Sequence, residues 1–431
     1  MMRDTTIEVS YGRGHMAIQL PEGTVPTVIR KQPLPKITNP KAAVIAALEQ
    51  PIASAPLSDL VKGRRSACIL ICDITRPVPN HLFLRPMIET MLSGGIAREN
   101  ISVLVATGLH RPNLGEELAE LVGDPWVLET VRVENHYARN EDDHIDLGLT
   151  PTRNTPVKLD KLFVEADLRI ATGLVEPHFM AGWSGGRKVI APGVAHHETI
   201  RTFHSARFME DPLAVQCNLV GNPLHEEQLE IVKLLGEVYA LNTVLDEERD
   251  LVCVTFGEII ASHAAAVDFV SDATRIGLPR KYGTVVTSSA GYPLDKTYYQ
   301  TIKGMVTPLD ILQPGGTLIM VSECSEGFGS HEFREAQARL VELGPERFLA
   351  TLTAKSLAEI DEWQTEMQLK PMRAGRIELF TTGLVGDDRD LTGVTMIGDV
   401  TEAIARSVAR SGDRQVAVIP EGPYVIPQFS A

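Results

Sequence analysis

Short apolar runs, each ending in a polar loop and leading into a helix-prone stretch, recur along this chain and constrain its fold more than any other feature. ACILIC at 67–72 ends in Asp-Ile-Thr-Arg-Pro and precedes a helical stretch at 81–94. ISVLVA at 101–106 ends in Thr-Gly-Leu-His-Arg-Pro and precedes a helix at 114–122. The pattern returns at 168–171, 252–256, 283–288, 316–321, 376–381, 394–396 and 415–419. Apolar strands without alternation are those buried on both faces, and repeated strand–loop–helix units build parallel sheets. The expected class is α/β, with two lobes, each a mostly parallel sheet flanked by helices. The helix-rich stretch 257–280 is the expected boundary. The lobes are then 1–272, joined by the C-terminal segment 408–431, and 273–407.

In such sheets ligands bind at the loops following the carboxyl ends of the strands. Here those loops carry Asp73, Thr75 and Arg76; His110 and Arg111; Glu176 and His178; and Tyr299, Gln300 and Lys303. An active site in a cleft between the lobes is expected from this placement.

Composition excludes several classes. Lys and Arg number 41 against 56 Asp and Glu, a net charge of −15. So acidic a surface is a poor general binder of nucleic acid or of anionic membrane. No apolar run reaches the ~18 residues of a membrane-spanning helix. The opening MMRDTTIEVSYGRGH lacks the apolar block of a signal peptide. The five cysteines are scattered without a CxxC pair, as expected of reduced thiols in a cytoplasmic protein.

The densest chemistry lies between Val175 and His204. Ser184-Gly185-Gly186-Arg187-Lys188 is a glycine-rich loop bearing two cations. Such backbone can approach a phosphate closely, although neither the P-loop nor the dinucleotide spacing is matched. Lys188 beside Arg187 is also a candidate for a lowered pKa and a nucleophilic amine. Ser184 sits in Gly-x-Ser-x-Gly letters, but its strand–turn–helix context is doubtful. His110 and His178 each follow an apolar strand and adjoin a proline, and two histidines on opposed loops suit a reaction needing two acid/bases. The lack of HExxH argues against a zinc hydrolase. His15, His81, His136, His144, His225, His263 and His331 read as structural or solvated. His196 and His197 are adjacent, so their side chains diverge.

Taken together, Asp73-Ile-Thr-Arg-Pro, Thr107-Gly-Leu-His-Arg-Pro, Glu176-Pro-His178, the 182–188 loop, Ala191-Pro-Gly, His204, Gly291-Tyr-Pro, Tyr299-Gln300-x-x-Lys303 and Glu362-Trp-Gln resemble the nickel-dependent lactate racemase family. The matches run in order over nearly the whole chain. The specific part is EPHFMAGWSGGRK with His204 sixteen residues after Lys188.

The resemblance implies a racemase or epimerase of a 2-hydroxy acid, lactate-like or larger. It would act by reversible hydride transfer to a nickel pincer nucleotide (pyridinium-3-thioamide-5-thiocarboxylic acid mononucleotide). It implies Lys188 as the cofactor tether, His204 as the nickel ligand, and His110 and His178 as the catalytic acid/bases. Arg76, Gln300 and Lys303 would hold substrate. Asp73, Thr75, Ser184, Gly185, Gly186, Tyr299 and Trp363 would line the cofactor. Cofactor-synthesis enzymes are implied as partners, and a homo-oligomer is possible. Phe179, Trp183 and Phe328 are candidates for shaping the substrate pocket. Two alternatives stay open: a nucleotide-binding or sensor protein of the same fold, and another hydride-shuttling reaction on a sugar or hydroxy acid.

Overall fold

A computed structural model describes residues 6–430. The chain divides into two compact units. One comprises Pro33–Phe203 and Asn218–Ser271; the other takes residues through Gln32, His204–Cys217 and everything from Asp272 onward.

The first unit is built on a six-stranded sheet in the order Leu251–Glu258, Tyr239–Leu245, Leu168–Leu174, Ala67–Cys72, Ile101–Ala106, Arg132–Asn135. Every pair is parallel except 239–245 with 251–258. The central strands are apolar throughout because both of their faces are covered. Helix Asn80–Ser93 turns Phe83, Leu84, Met87, Ile88 and Met91 toward that sheet, at the spacing of a helical stripe. Those side chains pack with Ile69, Ile71, Val103 and Val105. Chain order reverses beside 67–72: the 101–106 strand lies to one side and the 168–174 strand to the other. That makes a topological switch point, where open parallel sheets bind ligands.

The second unit repeats the arrangement. Its sheet runs Thr395–Met396, Arg376–Phe380, Leu312–Val321, Tyr282–Ser288, Gln415–Ile419, Val25–Val28, all parallel. Here the order reverses beside 282–288.

The lobe boundaries expected from sequence need correction. Residues 408–431 do not join the N-terminal lobe, since the 415–419 strand pairs with 282–288 inside the second unit. The N-terminal strands also belong to that unit. The 25–28 strand pairs with 415–419, and Ile7, Val9 and Ile18 pack against Val286, Ile319 and Val416. Pairings this far apart in the chain leave no local signature. The outermost residues of the expected lobes, Met1–Thr5 and Ala431, lie outside the described residues.

The sequence also hid the strand Tyr239–Leu245, second in its sheet. Its buried Asn242 and Thr243 break the apolar pattern.

Candidate functional site

In the first unit, the loops after three adjacent strands supply the candidate groups. Asp73 follows 67–72, His110 follows 101–106, and Glu176 and His178 follow 168–174. The Asp73 carboxylate accepts a hydrogen bond from His110 Nδ1 at 2.6 Å and another from Thr75 Oγ at 2.6 Å. Burial opposes charge on Asp73, but His110, Thr75 and Arg76 together outweigh it and hold the carboxyl below its ordinary value. An ionised carboxylate only accepts, so His110 carries its proton on Nδ1 and presents a lone pair at Nε2. Half of the His110 side chain is exposed. This Asp–His pair was not foreseen: the residues stand 37 apart and no spacing announces the contact.

His178 is buried and held the other way round. Its Nδ1 accepts the N–H of Ala181 at 3.2 Å, with Met180 N–H at 3.4 Å. The neutral ring therefore carries its proton on Nε2. The short pairing of Pro177–His178 with Gly182–Trp183 closes the loop that makes these bonds.

Across the switch point, Arg76 Nε lies 3.3 Å from Glu176 Oε1. The expected substrate-binding arginine thus has an acidic partner that sequence reasoning did not assign. Glu176 lies two residues before His178, inside the motif already singled out.

Lys188 is half-buried. Burial, then the charges of Arg76 and Arg187, push its amine down to about 7. Arg187 is itself buried, and its guanidinium donates to the carbonyls of Ala181 at 3.1 Å and Trp183 at 3.0 Å and lies 2.9 Å from His263 Nε2. These contacts lock the loop that presents Lys188. Gly186 donates its N–H to Asn242 Oδ1 at 3.0 Å, which is what the buried asparagine of the 239–245 strand is for. Ser184 does not offer its hydroxyl outward: it donates to the Leu174 carbonyl at 2.7 Å and accepts Glu176 N–H at 3.0 Å.

Gly186 has φ +49°, and a Cβ there would meet the His263 ring at 3.0 Å. Gly186→Ala is expected to cost about 1–3 kcal/mol through backbone strain alone. Urea unfolding checks this; an unchanged midpoint would show that the loop relaxes freely.

The second unit holds the other candidates. Helix Tyr298–Val306 is capped by Thr297, whose side chain accepts Gln300 N–H. Tyr298, Thr301, Ile302 and Met305 face its core, leaving Tyr299, Gln300 and Lys303 half-buried on the opposite face. Among the described residues, Gln300 Oε1 is buried and makes no hydrogen bond. Tyr299 is braced by an edge-to-face contact with Phe333, and its carbonyl accepts from Gln364 Nε2 at 2.6 Å. Gln364 is thereby a scaffold residue. The neighbouring Trp363 packs on His204, ring centroids 4.9 Å apart, with both residues buried. Of the expected pocket-shaping residues, Phe179, Trp183 and Phe328 are all buried.

His136, His144, His196 and His197 also gather in the first unit, each ring against the next; the His196 and His197 side chains, expected to diverge, instead lie with ring centroids 4.2 Å apart. The five cysteines are free, and no helix among the described residues is long and apolar enough to cross a membrane.

Comparison with known proteins bears on this arrangement. The family described as the lactate racemase N-terminal domain matches residues 11–216, and the lactate racemase C-terminal domain matches 280–426. A lactate racemase of Thermoanaerobacterium thermosaccharolyticum is 30% identical, over 97% of this chain and 98% of that one. A lactate racemase of Lactiplantibacillus plantarum is 31% identical, over 88% and 89%. The solved lactate racemase apoprotein of T. thermosaccharolyticum superposes with a TM-score of 0.91 at 28% identity, covering 98% of this chain and all of that one. A Thermotoga maritima protein shares the fold alone, with a TM-score of 0.63 at 18% identity over 87% of this chain and 96% of that one. With both domains matched in order and two relatives aligned over most of their length, the chain belongs to the lactate racemase family and is an isomerase of the racemase class.

Proposed function

We propose that this protein racemises or epimerises a 2-hydroxy acid, lactate or a larger relative, using a nickel pincer nucleotide tethered to Lys188. The observation that carries the reading is the Asp73–His110 pair on loops at the switch point, facing a chemistry that needs a base for a hydroxyl proton.

The residues present fit such a cofactor. Lys188 has an amine that is substantially neutral at neutral pH, as covalent attachment requires. His204 offers an imidazole, a ligand suited to nickel, and its ring is braced by Trp363. Gln300 Oε1 is a buried acceptor lacking a partner within the protein. When bound, the cofactor supplies a reversible acceptor for the hydrogen on the substrate's C2, which no side chain provides.

The chain's own residues do the rest. Arg76 and Lys303 hold the substrate carboxylate, and Arg76 stays oriented by Glu176. His110 takes the hydroxyl proton at Nε2. Asp73 holds the ring in that tautomer and stabilises the imidazolium that forms. His178 donates a hydrogen bond from Nε2–H to the substrate oxygen. The two histidines are therefore not equivalent at rest: one offers a lone pair and the other an N–H. Turnover of the opposite enantiomer requires the two tautomers to exchange.

Enzymes that build and load the cofactor are the expected partners, and free thiols at all five cysteines support a reducing, cytoplasmic setting.

The test is racemisation of L-lactate in D₂O by holoprotein made alongside the cofactor-synthesis enzymes. Optical rotation should fall to zero with little deuterium entering C2. Rapid solvent exchange at C2 would replace this reading with a two-base proton mechanism, and absence of racemisation across a panel of 2-hydroxy acids would leave a binding or sensor protein.

A further inference from the structure

Among the gathered histidines, His136 and His144 point their Nε2 atoms at each other, 3.0 Å apart. The other nitrogen of each ring is already committed. His144 Nδ1 lies 2.7 Å from the Asn140 carbonyl oxygen, which can only accept, so that nitrogen carries the proton. His136 Nδ1 lies 3.3 Å from Thr107 Oγ. The Thr107 hydrogen is spent on the His136 carbonyl at 2.7 Å, so the hydroxyl offers Nδ1 a lone pair and favours a proton there too. With both protons on Nδ1, two Nε2 lone pairs face one another across 3.0 Å. That contact is repulsive unless a cation lies between them. Two imidazole nitrogens each about 2.0–2.1 Å from a single metal are separated by roughly this distance, and Nδ1–H bonds to oxygen are the usual support of a ligating histidine.

We propose that His136 and His144 form a two-imidazole chelate for a divalent transition cation of the zinc, cobalt or nickel type, separate from the lysine loop and from His204. Water completes the coordination. His136 is buried, whereas His144 is only half-buried and leaves an entry for the ion.

The location gives the site a mechanical consequence. Thr107, bonded to His136, closes the turn that carries His110, whose N–H donates to the Thr107 carbonyl at 3.0 Å. His144 opens the strand His144–Leu149, paired with Pro156–Asp160. A bound ion would pin that hairpin to the base of the His110 loop. The exposed acidic group Asp246, Glu248 and Asp250 is a different matter, since Lys36 Nζ already sits among its carboxylates.

The experiment uses full-length, untagged protein with His204→Ala, so that the site proposed for nickel cannot contribute. Chelator-stripped protein is titrated with Co²⁺, read by its visible d–d bands, and with Zn²⁺ by calorimetry. One site per chain with nitrogen-ligand bands is expected, together with a rise in Tm on adding Zn²⁺. His144→Gln on the same background should weaken binding at least tenfold and abolish the Tm rise. Circular dichroism confirms that this half-exposed position leaves the fold intact. Absence of uptake, or uptake unaffected by His144→Gln, would overturn the proposal. The first result would mean that a single proton shared between the rings fills the gap.

Discussion

Replacing Lys188 by arginine will leave a folded protein that carries no covalent adduct and has no measurable racemase activity. Arginine keeps the positive charge and most of the volume but has no amine that becomes neutral, so it cannot be acylated. The loss is total because the hydrogen acceptor disappears with the adduct. Intact-protein mass spectrometry after loading reads the first effect and polarimetry the second. An adduct on another lysine would show that the tether lies elsewhere. The wild-type reaction carries a further signature. Burial, with help from Arg76 and Arg187, lowers the Lys188 pKa from the ordinary lysine value of 10.5 to about 7. The charged form is unreactive, so the rate of attachment to apoprotein should rise with pH, reach half its maximum near pH 7 and level off above. A midpoint above pH 9 would mean that the amine is solvated during attachment.

Asp73→Asn is expected to lower kcat about 10²–10⁴-fold while leaving the adduct at Lys188 intact, in line with the effect of disturbing a positioned acid/base. Asparagine matches the carboxylate in size, so packing around this buried position is kept. It cannot stabilise a protonated His110, and its amide lets the ring settle in the wrong tautomer. An unchanged circular dichroism spectrum and an unchanged adduct mass discriminate this from a general loss of structure. Equal activity in the two proteins would leave Asp73 as a cofactor contact only, the role its place in the motif implies.

Parts of this protein are legible in the linear chain because their cause is local. The 67–72, 101–106 and 415–419 strands coincide with apolar runs, and helices His331–Leu343 and Pro345–Thr353 coincide with their periodicity and their Ser330 and Gly344 boundaries. The glycine-rich loop before Lys188 is likewise local, whereas Tyr299, Gln300 and Lys303, expected on a loop, lie on the helix Tyr298–Val306. Other features depend on partners far along the chain. The pairing of 25–28 with 415–419 overturned the expected lobe boundary. Asn242, which looks like a break in a strand, is a buried acceptor for Gly186 N–H.

The recurrence of apolar strand, polar loop and helix was enough by itself to determine an α/β chain. Strand burial, helix periodicity and glycine-rich turns are written in adjacent residues. Which loops became neighbours was decided only by the tertiary structure, through strand order. That order put Asp73 on His110 and Arg76 on Glu176. Hydrogen bonds and charge act over a few ångströms of space, whatever the separation in sequence.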